Sequence, residues 1–253
     1  MKALVHAEVL KLHSTRTPVG LLLATLGLVA LTVAVNVPKV GAENAPVSLD
    51  DPGLVAGTVG ISFGVPLVLV VLLGVLAFTQ EFRYGTATST YLGEPRRTRV
   101  LVAKWLSQAL SSVVITIATL ALSVTFGIAL IRSRDGDATT GAQFWQMVAA
   151  GFAVMAAYGV IGVAVGALVR NQIAAVVGVL VWMLAVEQIV IPAYPAVGRW
   201  LPGGATDAVL LLGPSMSLDG RLLSPVVGGL VLVGYTAAAV ALALLVTPRR
   251  DIP

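Results

Sequence analysis

The sequence predicts an all-α membrane protein, six transmembrane helices forming a single transmembrane domain over residues 1–253. Three observations carry that reading. Hydrophobic residues make up 57% of the chain and charged residues only 11%, where a soluble domain has roughly 25% charged. Six separate apolar runs are each near the length of about 20 residues that one crossing requires. The 26 glycines suit membrane helices, whose backbones approach closely where side chains are small. Such a composition argues against a cytosolic enzyme. The absence of cysteine excludes a disulfide framework, a thiol nucleophile and Cys-ligated metal, and says little about compartment.

The first element, Met1 to Pro18, carries Lys2, Lys11 and Arg16 and sets Val5, Val9 and Leu12 at helical spacing, with Glu8 and Lys11 largely off that stripe. It predicts an amphipathic helix lying on the cytoplasmic face of the membrane. His6 and His13 fall here and are expected at its exposed surface. The run Val19 to Val37 is longer than the roughly 7–15 apolar residues of a signal peptide, so it is expected to stay as span one. The later spans are expected at Leu54 to Phe78, Trp105 to Ile131, Phe144 to Val169, Ile173 to Ile191 and Pro225 to Val246. Leu201 to Gly213 is too short to cross and is expected to be re-entrant or extracellular.

An even number of spans puts both termini on one side, and the basic residues choose it. With cytoplasmic termini, eleven of the 16 Lys and Arg lie inside: Lys2, Lys11, Arg16, Arg83, Arg96, Arg97, Arg99, Lys104, Arg170, Arg249 and Arg250. Lys39, Arg132, Arg134, Arg199 and Arg221 lie outside, in company with Glu43, Asp50, Asp51, Asp135, Asp137, Asp207 and Asp219. The net charge of +4 is therefore an orientation signal and not a nucleic-acid footprint.

Within span two, Gly60, Ser62 and Gly64 match G-x-S-x-G, but a nucleophile elbow needs a strand-to-helix turn and a histidine base, and both histidines sit in the N-terminal segment. Labelling of Ser62 by a fluorophosphonate would test that hydrolase alternative. The glycines Gly53, Gly57, Gly60 and Gly64 are better read as packing steps. Pro66 removes a helix hydrogen bond near mid-membrane, so Ser62, Phe63, Gly64 and Pro66 mark a kink or a broken segment that is either structural or a gating hinge. In span five Glu187 is an acidic residue roughly 7 Å from the helix end, from ~1.5 Å per residue. A charge there is a functional candidate by default. Its structural alternative is to accept hydrogen bonds from the backbone of the following Pro/Gly-rich segment. The spans offer few polar groups, Ser62, Trp182, Glu187 and Gln188 among them, which favours a hydrophobic or amphipathic cargo.

Between spans two and three, Glu81 to Lys104 reads EFRYGTATSTYLGEPRRTRVLVAK. Gly93 and Pro95 mark a turn, and Arg96, Arg97, Arg99 and Lys104 are expected to hold the loop at anionic headgroups. The uncharged Tyr84 to Leu92 segment calls for a further explanation. No Lys follows a Gly anywhere, so the chain has no P-loop of its own, and no H-E-x-x-H set occurs. Asp135 and Asp137 flank Gly136 without an EF-hand frame and predict a turn.

At these residues the sequence resembles an ABC-2 type ABC transporter permease, the membrane subunit of an ATP-driven exporter, in the form common in actinobacteria. Three stretches carry the likeness: the N-terminal segment entering span one, Phe78 to Trp105, and Gly166 to Gln188. In the second, Glu81, Arg83, Gly85, Thr86, Pro95, Arg97 and Lys104 stand at matching places. The resemblance implies a six-helix half-transporter in a bacterial plasma membrane, with a cytoplasmic coupling helix between spans two and three and extracellular helices between spans five and six. It implies no cofactor in this chain, ATP and Mg in a separate ATPase subunit, and a homodimer or a heterodimer with a second permease in the lipid bilayer. Glu81, Phe82, Arg83, Tyr84, Gly85 and Thr86 would dock the ATPase. Charge reversal at Glu81 and Arg83 would then uncouple hydrolysis from transport without removing the protein from the membrane. Ser62, Phe63, Gly64, Pro66, Trp182 and Glu187 are the candidate pathway or gate, for a hydrophobic or amphipathic substrate such as a drug, lipid or peptide antibiotic. The alternative is a proton-coupled secondary transporter using Glu187.

Overall fold

Apolar segments in lipid must satisfy their backbone hydrogen bonds internally, and these do so as helices. The computed structural model describes residues 1–14, 16–39, 49, 51, 53–210 and 222–247, with no strand among them. Helix α1, Lys2–Ser14, leads into α2, Arg16–Asn36, which tightens to a 3₁₀ turn at Val37–Lys39. Next come α3, Leu54–Ile61, and α4, Gly64–Arg83, then a short α5, Ala87–Gly93. Long helices α6, Arg97–Arg132, and α7, Ala142–Val169, follow. Helix α8, Gln172–Val181, runs through a π-helical turn at Trp182–Val186 into α9, Glu187–Ala193. Two short helices, α10, Pro195–Gly198, and α11, Pro202–Val209, precede α12, Pro225–Val246. Among the described residues six helical elements are long and apolar enough to cross a membrane, as expected, which suggests a multi-pass membrane protein. The side chains of His13 and Arg16, and residues Glu43, Asp50, Leu211 to Gly213, Asp219, Arg221, Arg249 and Arg250, lie outside the described residues.

Three elements differ from the sequence reading. The third span begins at Arg97, not Trp105, and its 36 residues cover about 54 Å at ~1.5 Å per residue, against a hydrocarbon core of ~30 Å. Arg and Lys are good helix formers, so the charged stretch continues the helix instead of ending it. The second span runs on past Phe78 to Arg83 and, at Pro66, takes the broken form of the two expected there. Pro66 has no N–H to give the Ser62 carbonyl, the Phe63 N–H donates to the Gly60 carbonyl three residues back at 3.2 Å, and Ser62 and Phe63 form the break. The fifth span passes Pro192 and ends at Ala193.

The core lies where α4 packs on α7, the most extensive helix pair. A Cβ on Gly162 would strike the Val71 carbonyl oxygen, and one on Gly74 would stand 2.6 Å from the Gly159 carbonyl oxygen. Close approach therefore depends on these glycines. The glycine steps expected at the start of span two do not form such a contact throughout, because Gly57 and Gly64 face open space. Phe63, fully buried, packs its ring on Gly151 instead. Helix α6 buries Ser107, Gln108, Ser112, Thr116, Thr119 and Ser123. The Ser112 and Thr116 hydroxyls donate to carbonyls four residues back at 2.9 and 2.7 Å, and Gln108 Nε2 donates to the Val70 carbonyl at 3.3 Å.

Candidate functional site

Two places gather the chemistry. At the α1 and α5 end, four charged side chains from three elements meet. Lys11 Nζ lies 2.7 Å from both Glu8 Oε1 and Glu81 Oε1. Lys104 Nζ lies 2.8 Å from Glu8 Oε2 and 2.9 Å from Glu81 Oε1, and donates to the Ala77 carbonyl at 3.0 Å. Two carboxylates and two ammoniums balance, which is what allows Lys104 to be fully buried. Burial alone would lower the Lys11 pKa, but its hydrogen bonds to Glu8 and Glu81 and their charges hold it above the usual lysine value. Thr90 of α5 sits 3.4 Å from both Lys11 Nζ and Glu81 Oε1. The junction thus joins the N-terminal helix, α4, α6 and the short helix.

Helix α5 is rooted by Ala87 and Tyr91, buried with Val100 against the half-buried Phe82. Gly85 enters it with a φ of +68°, which a residue without Cβ adopts without strain. The same turn leaves Arg83, Tyr84, Gly85 and Thr86 exposed, and Leu92 is 78% exposed at the far end. Phe82 stacks on Phe78 with ring centroids 5.4 Å apart and carries the Arg170 guanidinium at 5.2 Å from its ring. Arg170 also donates to the Thr247 carbonyl at 3.2 Å, tying the end of α12 to this corner.

Several sequence expectations are corrected here. Lys104 does not reach headgroups, since Glu8, Glu81 and Ala77 enclose it. Glu81 is 6% exposed, so its carboxylate faces inward to two lysines and not outward to a partner. Charge reversal at Glu81 would therefore break the junction itself. Glu8 is buried against Lys104, so α1 turns a charge inward rather than lying with its charges off the packed face. Arg96 and Arg99 are exposed, with Arg99 3.7 Å from Glu94, while Arg97 is half-buried and lies 5.8 Å from the Tyr91 ring. His6 is exposed. Glu8, Lys11 and Thr90 were missed because their pairing spans about 70 to 100 residues of chain; only the Glu8–Lys11 helical spacing was legible.

A cavity of about 360 Å³ opens between α4, α7, α8 and α12, lined from Val169 and Ala174 at one end to Glu187 and Pro202 at the other. Its lining is mostly apolar, with Tyr158, Trp182, Glu187 and Tyr235 among the exceptions. Positions five apart on an α-helix lie about 140° apart at 3.6 residues per turn. The π turn, in which the Glu187 N–H donates to the Trp182 carbonyl, brings these two side chains onto one face. Trp182 Nε1 and the Gly203 N–H both donate to Glu187 Oε1 at 3.0 Å. The Gly203 bond comes from the Pro/Gly-rich segment the sequence pointed to. Thr206 of α11 donates to the Tyr158 hydroxyl at 3.0 Å. Nearby, Asp207 is held at a pKa of about 6, first by burial and then by the charge of Glu187. Tyr158 and Tyr235 gave no sequence signal, because each stands alone in an apolar span, and Thr206 and Asp207, inside the segment read as re-entrant or extracellular, carried no sign of which span they would meet. Ser62, Phe63, Gly64 and Pro66 do not line this cavity; the Ser62 hydroxyl donates to the Thr58 carbonyl at 2.7 Å. No family model and no curated protein matches the chain.

Proposed function

We propose that the chain is the membrane-spanning permease subunit of an ATP-driven ABC exporter, moving a hydrophobic or amphipathic substrate outward with a separate ATPase subunit that binds ATP and Mg. In this reading both termini are cytoplasmic, and the permease works as a homodimer or with a second permease. The observation that carries it is α5: a short helix outside the spans, exposing Tyr84 and Leu92, rooted next to a buried ion cluster that joins α1, α4 and α6. A push on such a helix meets α1 and α4 through Thr90, 3.4 Å from both Lys11 and Glu81, and α6 through the Lys104 those charges hold. A partner can drive a conformational change only through contacts that differ between the two states. Exposed Arg83, Tyr84 and Thr86 are the residues able to make them.

The test is purification of the tagged chain from native membranes in mild detergent, with identification of co-purifying proteins and an ATPase assay. A P-loop subunit with hydrolysis is expected. A Tyr84→Ala, Arg83→Glu variant should keep its abundance in the membrane and lose the subunit or its transport-coupled hydrolysis. Recovery of the chain without an ATPase, even after cross-linking, would sink the reading. A proton-coupled transporter through Glu187 is the second reading, favoured by a carboxylate set in the cavity wall. Transport that survives collapse of the proton gradient while ATP is maintained excludes it.

A further inference from the structure

We propose that the cavity between α4, α7, α8 and α12 binds a hydrophobic organic cation, an amine or quaternary ammonium on an apolar body, with Glu187 as its counter-ion. This names a cargo class for the permease reading and rests on that reading for its role in transport; binding itself requires only this chain. The size and the walls define the apolar body. A volume of about 360 Å³ lies within the range of small-molecule sites, and Val71, Ile161 and Val179 offer it no hydrogen bonds.

The charge defines the head group. Glu187 is 3% exposed, and both of its protein donors, Trp182 and Gly203, bond the same oxygen, Oε1. Among the described residues no Lys or Arg forms an ion pair with it. A carboxylate in a low-dielectric wall is costly without a cation beside it, and a ligand head group is the missing partner. Trp182, Tyr158 and Tyr235 share the lining, and aromatic faces attract cations. An anion would meet Glu187 directly and the field of Asp207 behind it.

The experiment is equilibrium binding of radiolabelled decyltrimethylammonium to the full chain, alone, in nanodiscs of zwitterionic lipid, with empty nanodiscs subtracted and decanol and decyl sulfate as comparison ligands. Saturable binding is expected for the cation alone. Glu187→Gln keeps an oxygen for Trp182 and Gly203 and should weaken binding at least tenfold. Gly178→Phe places a ring in space that is open at the cavity wall and should abolish binding with unchanged elution on size exclusion. Unchanged affinity in Glu187→Gln, saturable decanol binding of equal strength, or cation uptake no greater than by empty nanodiscs would overturn the proposal. If Glu187→Gln does not fold, Gly178→Phe and the decanol comparison decide. An ATPase recovered from membranes with no cation binding would sink this cavity assignment alone, whereas cation binding without an ATPase would sink the permease reading alone.

Discussion

Lys104 has no exposed surface, and two carboxylates and a carbonyl enclose its Nζ. Deleting one member of such a set strands the others, at a cost of about 3–5 kcal/mol. Lys104→Met and Glu81→Gln should each lower stability by about that much in chemical denaturation of the detergent-solubilised protein. Arg96→Ala and Arg99→Ala, at exposed positions, should change it by less than ~1 kcal/mol. A loss as large at Arg96 as at Lys104 would show that the junction is not what stabilises this corner. Asp207 makes a prediction of opposite sign. Its folded pKa of about 6 lies above the ordinary 3.8, through burial and then Glu187. The folded state thus binds the proton more tightly, and the group's contribution is full below pH about 4 and lost as pH rises through about 6. Asp207→Asn should be more stable than the parent above pH 6 and should flatten that part of the decline between pH 4 and 6, read as Tm against pH. Equal slopes in parent and variant would refute the assignment.

Among the elements, the α4–α7 seam and the break between α3 and α4 have the most specific requirements. A side chain at Gly162 meets backbone, which cannot move aside without separating the helices. Gly162→Leu should therefore destabilise by at least the ~1–3 kcal/mol of ordinary overpacking. Gly57→Ala, in open space, should be neutral or stabilising by up to ~1 kcal/mol from helix propensity. Thermal unfolding of the two variants checks the pair, and similar losses in both would show that the seam is not a backbone contact. Phe63 fills the space above Gly151 at the break, so Phe63→Ala should cost about 3–5 kcal/mol by cavity formation. The π turn has a different role. It spends regular helix geometry to put Trp182 and Glu187 on one face, which no 3.6-residue periodicity in the sequence could announce.

At the scale of the molecule, the second and fourth spans form the centre and the others surround them. The most apolar stretch of span two has 56% of its residues buried and that of span four 50%, against 17% in spans one and five and 11% in span six. The peripheral helices leave Ile173, Val177, Leu230 and Val233 exposed, as lipid-facing positions require. Because the chain has no cysteine, the proposed orientation can be tested with single substitutions at exposed sites on opposite ends. Thr88→Cys on α5 should react with an impermeant maleimide only in inverted vesicles, and Thr139→Cys, between α6 and α7, only in intact cells. The reverse pattern would overturn cytoplasmic termini. The sequence by itself determined the number and rough position of the six apolar helices, and offered the Glu187 bond to the following Pro/Gly segment as one of two readings of that residue. Those follow from composition, span length and local spacing. Only the tertiary structure decided that Glu81 and Lys104 face inward to Glu8 and Lys11, that Gly74 and Gly162 rather than Gly57 and Gly64 carry the closest packing, and that Tyr158 and Tyr235 join Trp182 and Glu187 around one cavity. Each of these depends on which helices become neighbours, and a periodic apolar pattern, nearly uniform around a membrane helix, does not encode its partner.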